Sequence, residues 1–183
     1  KNKKNVKILE HKKNRGKGAA VVTGIKEAAG DILIIQDADL EYNPQDIPKL
    51  ILPIIQKKFR VVYGTRLRAK PVIFGKNRTP LLVHFFGNKF LSLITSVLYG
   101  AQISDMETCY KAFDKDVLKG VRLKSRSFDF EPEITAKILK KGIKIHEVDI
   151  KTKPRGWAEG KKLHTIRDGN IALWTLIKYR FVN

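Results

Sequence analysis

Apolar positions along the chain fall into short continuous runs and longer, helix-spaced stretches. DILIIQ (31–36) and RVVYGTR (60–66) are apolar almost throughout and bounded by turn residues, as expected of strands buried on both faces of a sheet. VKILEH (6–11), CYKAFD (109–114) and IKIHEVDIKTK (143–153) alternate and predict further strands. Between them lie helical stretches. Residues 16–30 predict a small-residue helix closed by Gly30. Residues 43–58 predict a helix starting at Asn43 or Pro44 and bent or interrupted by Pro48 and Pro53. Residues 81–99 predict an apolar helix. Residues 130–142 predict an amphipathic one with acids first, lysines last and Gly142 as its stop, and a last helix covers roughly 165–181. The loops 67–80 and 154–163 are basic and hold proline or glycine. Strands alternating with helices, without repeat or linker, predict one α/β domain over residues 1–183, built on a mostly parallel sheet with flanking helices.

Charge adds a second theme. Lys plus Arg number 37 against 18 acids, a net +19, which attracts polyanions: nucleic acid, anionic lipid headgroups or phosphorylated substrates. Residues 1–17 carry eight cations and one acid; residues 151–180 carry eight more beside Glu159 and Asp168. With one cysteine, Cys109, no internal disulfide is possible. No signal peptide is visible, and the sequence starts with Lys rather than Met. The most apolar stretch, 80–100, is broken by His84, Asn88 and Lys89.

Against this cationic background, Asp37, Asp39 and Glu41 follow the apolar run 32–35. In open α/β sheets, ligands sit beyond the carboxyl ends of strands. Alternation points Asp37 and Asp39 the same way, and two hard carboxylates there suit Mg²⁺ or Mn²⁺ completed by phosphate and water. A plain turn is the competing reading of the same residues. Arg66, Arg155, Lys161 and Lys162 each follow a predicted strand, and a divalent ion facing several cations is a common way to hold a diphosphate.

Six stretches, DADLEYNPQDIPKLI, VVYGTR, GNKFLSLITSVLYG, SDMETCYKAF, FDFEPEITAKI and PRGWAEGKKL, together and in this order resemble the family-2 GT-A glycosyltransferases of the dolichol-phosphate mannose synthase type, which include bacterial polyprenol-phosphate sugar transferases. The resemblance implies a GT-A (Rossmann-like) fold. It implies inverting, metal-dependent transfer of a sugar from a nucleotide diphosphate sugar, GDP-mannose or a UDP-sugar, to a polyprenyl phosphate. It implies that Asp37 contacts the donor or its metal, that Asp39 binds the metal, and that Glu41 replaces a metal-binding Gln of many members. Arg66 matches the arginine implicated in binding the acceptor phosphate; Arg155 and Lys162 match the late phosphate-binding loop, and Glu131 of FEPE is a further substrate-site candidate. Two departures stand out. The family's opening PVYNE-type strand and turn is not found, so a first strand–helix unit, roughly 50 residues, is expected to be missing. Phe86 stands where some members have an arginine before the glycine matching Gly87, so that Arg78 or His84 would substitute.

A phosphate monoester is already mostly a dianionic nucleophile near pH 7, so the reaction needs no general base, and Asp105 is expected to position donor sugar or a neighbouring cation. Transfer to a polysaccharide or other hydroxyl is the alternative; it would make Asp105 the candidate base. A basic nucleic-acid-binding domain is a second alternative, disfavoured because the cations are scattered and no recognition motif is present, and an inactive fragment is a third. Leu81, Phe85, Phe86, Phe90, Leu93, Ile94 and Val97 exceed what one covered helix face needs. They read as an interfacial helix admitting a prenyl chain or as a buried core helix. With the last helix, where aromatics adjoin Lys178 and Arg180, they lead to an expected peripheral location at the cytoplasmic, anionic membrane face.

Overall fold

A computed structural model describes residues 5–68, 82–153 and 165–182. Five α-helices and four strands follow the order α1 (Lys17–Glu27), β1 (Ile32–Ile34), α2 (Ile47–Ile55), β2 (Val61–Thr65), α3 (Leu82–Tyr99), β3 (Lys111–Asp114), α4 (Phe130–Lys140), β4 (His146–Asp149) and α5 (Thr165–Phe181). The strands form one sheet in the order β1-β3-β2-β4. β2 and β4 run parallel, while β3 lies antiparallel between β1 and β2. The sheet is therefore mixed: three strands share one direction, but two of the three ladders are antiparallel.

β2 sits at the centre and all five of its residues are buried. Its alternation splits the core. Val61 and Tyr63 join Phe113, Phe130, Ile134 and Leu176 on one face, under α3, α4 and α5. Val62 joins Ala112, Leu50, Ile54 and Ile150 on the other, under α2. Gly64 is required by the close approach of β2 to the chain beyond β4: a Cβ there would lie 2.7 Å from Ile150 Cδ1.

Three expectations change. Residues 6–10 form no strand; Val6 and Ile8 are 64 % and 78 % exposed. Alternation makes a strand only where a ladder partner exists, and the described residues offer none there. Among the described residues β1 lies at the edge of the sheet with only Leu33 buried, not covered on both faces. The 43–58 helix begins as a 3-10 turn over Pro44–Asp46, capped by the Asn43 side chain on Gln45 N, and α2 follows from Ile47 with Pro48 in its first turn. Pro53 lies inside α2.

Candidate active site

The antiparallel placement of β3 brings its amino end beside the carboxyl ends of β1 and β2. Ile35 N donates to Lys111 O at 3.1 Å and Gly64 N to Tyr110 O at 2.9 Å. Asp37 follows β1, Arg66 follows β2, and the SDMETCY loop precedes β3, so the topology gathers three of the sequence motifs at one sheet edge.

Lys17 opens α1 and stands at the centre of this edge. Its Nζ lies 3.0 Å from Asp37 Oδ2, 2.8 Å from Glu131 Oε1 and 3.0 Å from Cys109 Sγ. The two glycines around it explain how it gets there. Gly16 has φ +89°, and a Cβ on it would lie 2.1 Å from the Arg126 carbonyl oxygen; one on Gly18 would lie 2.9 Å from that of Ser127. Backbone thus packs on backbone, and α1 is pressed against the segment leading into α4, which carries Glu131. Burial alone would lower the Lys17 pKa, but Glu131, Cys109 and Asp37 outweigh it and hold the ammonium well above its usual range. Burial pushes the Cys109 thiol up to about 12, so it is not a thiolate near neutrality.

Arg66 and Asp105 form the second unit. Arg66 Nε donates to Asp105 Oδ2 at 2.7 Å, Nη2 to Oδ1 at 2.8 Å, and the Arg66 backbone N to Oδ2 at 2.9 Å. Asp105 is fully buried, while the Arg66 side chain keeps about a fifth of its surface open, with its guanidinium 5.9 Å from the centre of the Tyr42 ring. The loop under Asp105 is itself fixed: Ser104 N and Asp105 N donate to the Glu147 carboxylate at 2.9 and 3.0 Å. Met106 N donates to Ser92 Oγ of α3 at 2.9 Å. Both carboxylate oxygens of Asp105 accept hydrogen bonds from Arg66.

Asp39 shapes a turn, its Oδ1 accepting from Glu41 N at 3.2 Å, with Leu40 between them at φ 62°. Beyond the turn, Glu41 O accepts from Lys153 N at 2.9 Å, Tyr42 bridges to Thr152, and Asp46 Oδ2 accepts from Lys151 N at 3.0 Å. The chain therefore enters the late basic loop beside the acidic turn. Arg155, Lys161, Lys162 and Arg78 themselves lie outside the described residues. Asp37, Asp39 and Glu41, expected as one metal-binding set, do not assemble into a three-ligand cluster among the described residues; Asp37 is turned to Lys17 instead.

The two acids in the first turn of α4 separate here. Glu131 is 4 % exposed and faces Lys17, inside the site. Glu133 is structural: it accepts from Lys124 N and Ser125 N at 2.9 and 2.6 Å and pairs with Lys137, holding the loop before α4.

Lys17, Lys111, Glu147 and Glu107 were not singled out in the sequence. The G-K-G spacing could have flagged Lys17. The others carry no local signal. Lys111 is fully buried, donates to Met106 O at 2.8 Å and to Thr108 O, and sits 4.4 Å from the centre of the Tyr63 ring. Burial brings its pKa down to about 8. Glu107 has a buried Oε1 without a hydrogen-bond partner among the described residues, as do Thr108 Oγ1 and Glu131 Oε2. Burial, then Glu131, push the Glu107 carboxyl up to about 8.

The mixed sheet thus brings Asp37, Arg66 and Asp105 to one rim, and the comparisons with known proteins agree on what kind of domain this is. Residues 1–122 match the sequence profile of the family described as Glycosyl transferase family 2, and the chain belongs to that family. The UDP-N-acetylglucosamine–dolichyl-phosphate N-acetylglucosaminyltransferase of Methanococcus voltae is 37 % identical over 149 residues, covering 79 % of this chain and 58 % of its own. The low-salt glycan biosynthesis hexosyltransferase Agl6 of Haloferax volcanii is 28 % identical over 170 residues, 92 % of this chain and 39 % of its own. The chain thus spans well under two thirds of the length of these relatives. Among solved structures, glucosyl-3-phosphoglycerate synthase from Mycobacterium tuberculosis, in complex with Mn²⁺, UDP and phosphoglyceric acid, superposes with TM-score 0.66 at 14 % identity, over 92 % of this chain and 55 % of that one. At that identity the likeness establishes the fold, GT-A.

Proposed function

We propose that this domain transfers a sugar from a UDP-sugar to a polyprenyl phosphate, with inversion at the anomeric carbon. The observation that carries the reading is the Arg66–Asp105 fork. It presents a guanidinium, fixed in direction and still partly open, at the carboxyl end of the central strand, where a planar cation suits a phosphate. The Methanococcus relative, named for a dolichyl-phosphate acceptor and a UDP donor, supports both substrate classes over GDP-mannose.

In this reading Arg66 holds the acceptor phosphate in line with the anomeric carbon, an orientation effect worth several kcal/mol in well-aligned cases (roughly 7 or more at best). No proton has to be removed from the acceptor, which agrees with Asp105 being engaged on both oxygens. Lys17 keeps Asp37 and Glu131 in place and offsets their charge until the donor arrives. Arg155 and Lys162 are proposed to face the leaving diphosphate.

Asp39, partly open on its turn, would hold a divalent ion of the Mg²⁺ or Mn²⁺ kind, because such ions need only one or two carboxylates when a diphosphate and water supply the other oxygens; Asp37 would join it only on leaving Lys17. When bound, the ion would neutralise charge gathering on the departing nucleotide.

We read the outer face of α3 as the membrane-facing surface. Val83, Phe86, Phe90, Leu93 and Val97 are all exposed among the described residues, spaced along one stripe, which supports an interfacial helix over the buried core helix that its composition also allowed. Among the described helices it is the one long and apolar enough to cross a bilayer, but its inner face packs on α4 and α5. An apolar stripe on a chain of net charge +19 suits an anionic leaflet, the cytoplasmic face in the reading adopted here.

The test is a panel of UDP- and GDP-sugars offered with a short polyprenyl phosphate and Mg²⁺ or Mn²⁺. One UDP-sugar should yield a lipid-linked sugar. Transfer to hydroxyl acceptors alone would overturn the reading.

A further inference from the structure

Between α3 and α5 lies a cavity of about 270 Å³, lined by Phe90, Leu91, Phe128, Ile166 and Leu173, with Glu107 among them. It is mostly apolar and smaller than a pocket that encloses a whole ligand, so it suits one end of a larger molecule. Glu107 is held there by its neighbours rather than by its own contacts. Ser104, Asp105, Met106 and Cys109 are each tied through backbone N–H groups to Glu147, Ser92 and Tyr42, and Lys111 Nζ grips the carbonyls of Met106 and Thr108. The side chain between these ties ends in an oxygen that is closed off from solvent and meets no donor or acceptor among the described residues. A buried polar atom left this way is expensive unless a partner comes to it.

Resting on the acceptor reading above, we propose that the Glu107 carboxyl is a substrate-contacting group that donates a hydrogen bond to a phosphate oxygen of an amphiphilic phosphate monoester whose apolar end fills the α3–α5 cavity. The charged groups around it define its state. Asp105 on its own loop and Glu131 on α4 are negative; Arg66 after β2 and Lys111 on β3 are positive. His84 on α3 and Asp168 on α5 line the same cavity. Burial dominates, so the carboxyl keeps its proton near neutral pH and is a donor rather than a second negative charge facing the phosphate. Arg66 then meets the phosphate as a charge and Glu107 as a neutral donor, with the hydrocarbon seated beyond.

The experiment is calorimetric titration of farnesyl phosphate, farnesol and inorganic phosphate into the wild type and Glu107→Gln, at pH 7 and pH 9. The amide keeps a donor that cannot ionise. The ligand's own ionisation is common to both proteins and cancels; Lys111 faces Glu107 and titrates together with it, so the difference between the proteins reads that pair. Between pH 7 and pH 9 the wild type should lose about tenfold more affinity for farnesyl phosphate than the variant, the change in protonated fraction of a group near pH 8. Farnesol should show no such difference, and inorganic phosphate should bind much more weakly. Leu173→Trp, which adds bulk to the apolar lining and leaves Glu107 itself unchanged, should weaken farnesyl phosphate at least tenfold, and this arm stands even if Glu107→Gln does not fold. A pH response equal in the two proteins, inorganic phosphate binding as tightly as farnesyl phosphate, or Leu173→Trp without effect would overturn the proposal. So would a Glu107→Gln protein with unchanged acceptor affinity and kcat lowered by orders of magnitude, the signature of a base. These results are separable from the functional reading: the wild type failing to transfer sugar removes that reading, whereas a flat binding difference with transfer intact removes only Glu107.

Discussion

Arg66 and Asp105, 39 positions apart, meet in a two-bond fork of 2.7 and 2.8 Å, and the Arg66 backbone N closes a third bond on the same carboxylate. The carboxylate is fully buried, so removing its partner leaves an uncompensated charge inside the fold. Arg66→Ala should destabilise by about 3–5 kcal/mol. Pairing Arg66→Met with Asp105→Leu should cost clearly less than the two single changes summed, as read from denaturant unfolding in a double-mutant cycle. Strict additivity would mean that the pair is not coupled.

Arg66→Lys separates fold from function. Lysine keeps the charge but not the fork. Acceptor KM should rise about tenfold or more, the scale of one lost charged hydrogen bond, with donor KM little changed. Steady-state kinetics with each substrate varied in turn decide it.

Asp39→Ala addresses the ion. Asp39 is only half-buried, at an open turn, so thermal stability should stay within a few degrees. Transfer should fall by roughly a thousandfold, the scale of removing a key electrostatic contact. Comparable turnover with and without the Asp39 side chain, at saturating metal, would remove it from the site.

The G-K-G entry to α1 makes a packing prediction. Gly16→Ala combines a left-handed backbone with a Cβ 2.1 Å from a carbonyl oxygen, so a loss of about 2 kcal/mol or more is expected. Because α1 must then lift off residues 126–127, Lys17 should lose contact with Glu131, and donor affinity should drop along with the melting temperature.

Stability should depend on pH through the loop before β3. Glu107 holds its proton up to about pH 8 in the fold, against about 4.3 in an unfolded chain. The folded state therefore binds the extra proton between these values, and stability falls as pH rises through that window. Lys111 is shifted down to about 8 against about 10.4 unfolded, so its contribution rises with pH above 8. A stability minimum near pH 8 follows, and Glu107→Gln should remove the falling limb, on the order of 1–3 kcal/mol. Melting curves from pH 5 to pH 10 read it directly.

The α3 stripe gives the last test. Phe86→Glu with Phe90→Glu should leave the fold intact, since both side chains are more than half exposed, while sharply reducing sedimentation with anionic vesicles. Unchanged vesicle binding would move the membrane contact elsewhere.

Much of this layout was legible along the chain. Element types from 16 onward follow from period and punctuation: an apolar run makes β2, and acids before lysines mark α4. The acid pair after β1 and the arginine after β2 announced a rim site because strand ends are local features. What local pattern could not supply is partnership. Residues 6–10 have a strand's alternation but no ladder partner, and β1 has a core strand's composition at an edge. Asp105 carries the same one-letter signal whether it faces solvent or a partner; only the tertiary structure, through the antiparallel insertion of β3, sets it against Arg66. Lys17, Glu107 and Lys111 matter through burial, and burial depends on the whole packed assembly. Sequence by itself determined the family, the elements and which charges stand at strand ends, because backbone preference and hydrophobic period act over a few residues. Tertiary structure alone decided which charges are paired, which are hidden from water and which oxygen is left without a partner, because electrostatic energies are set by neighbours distant in sequence and by the solvent they exclude.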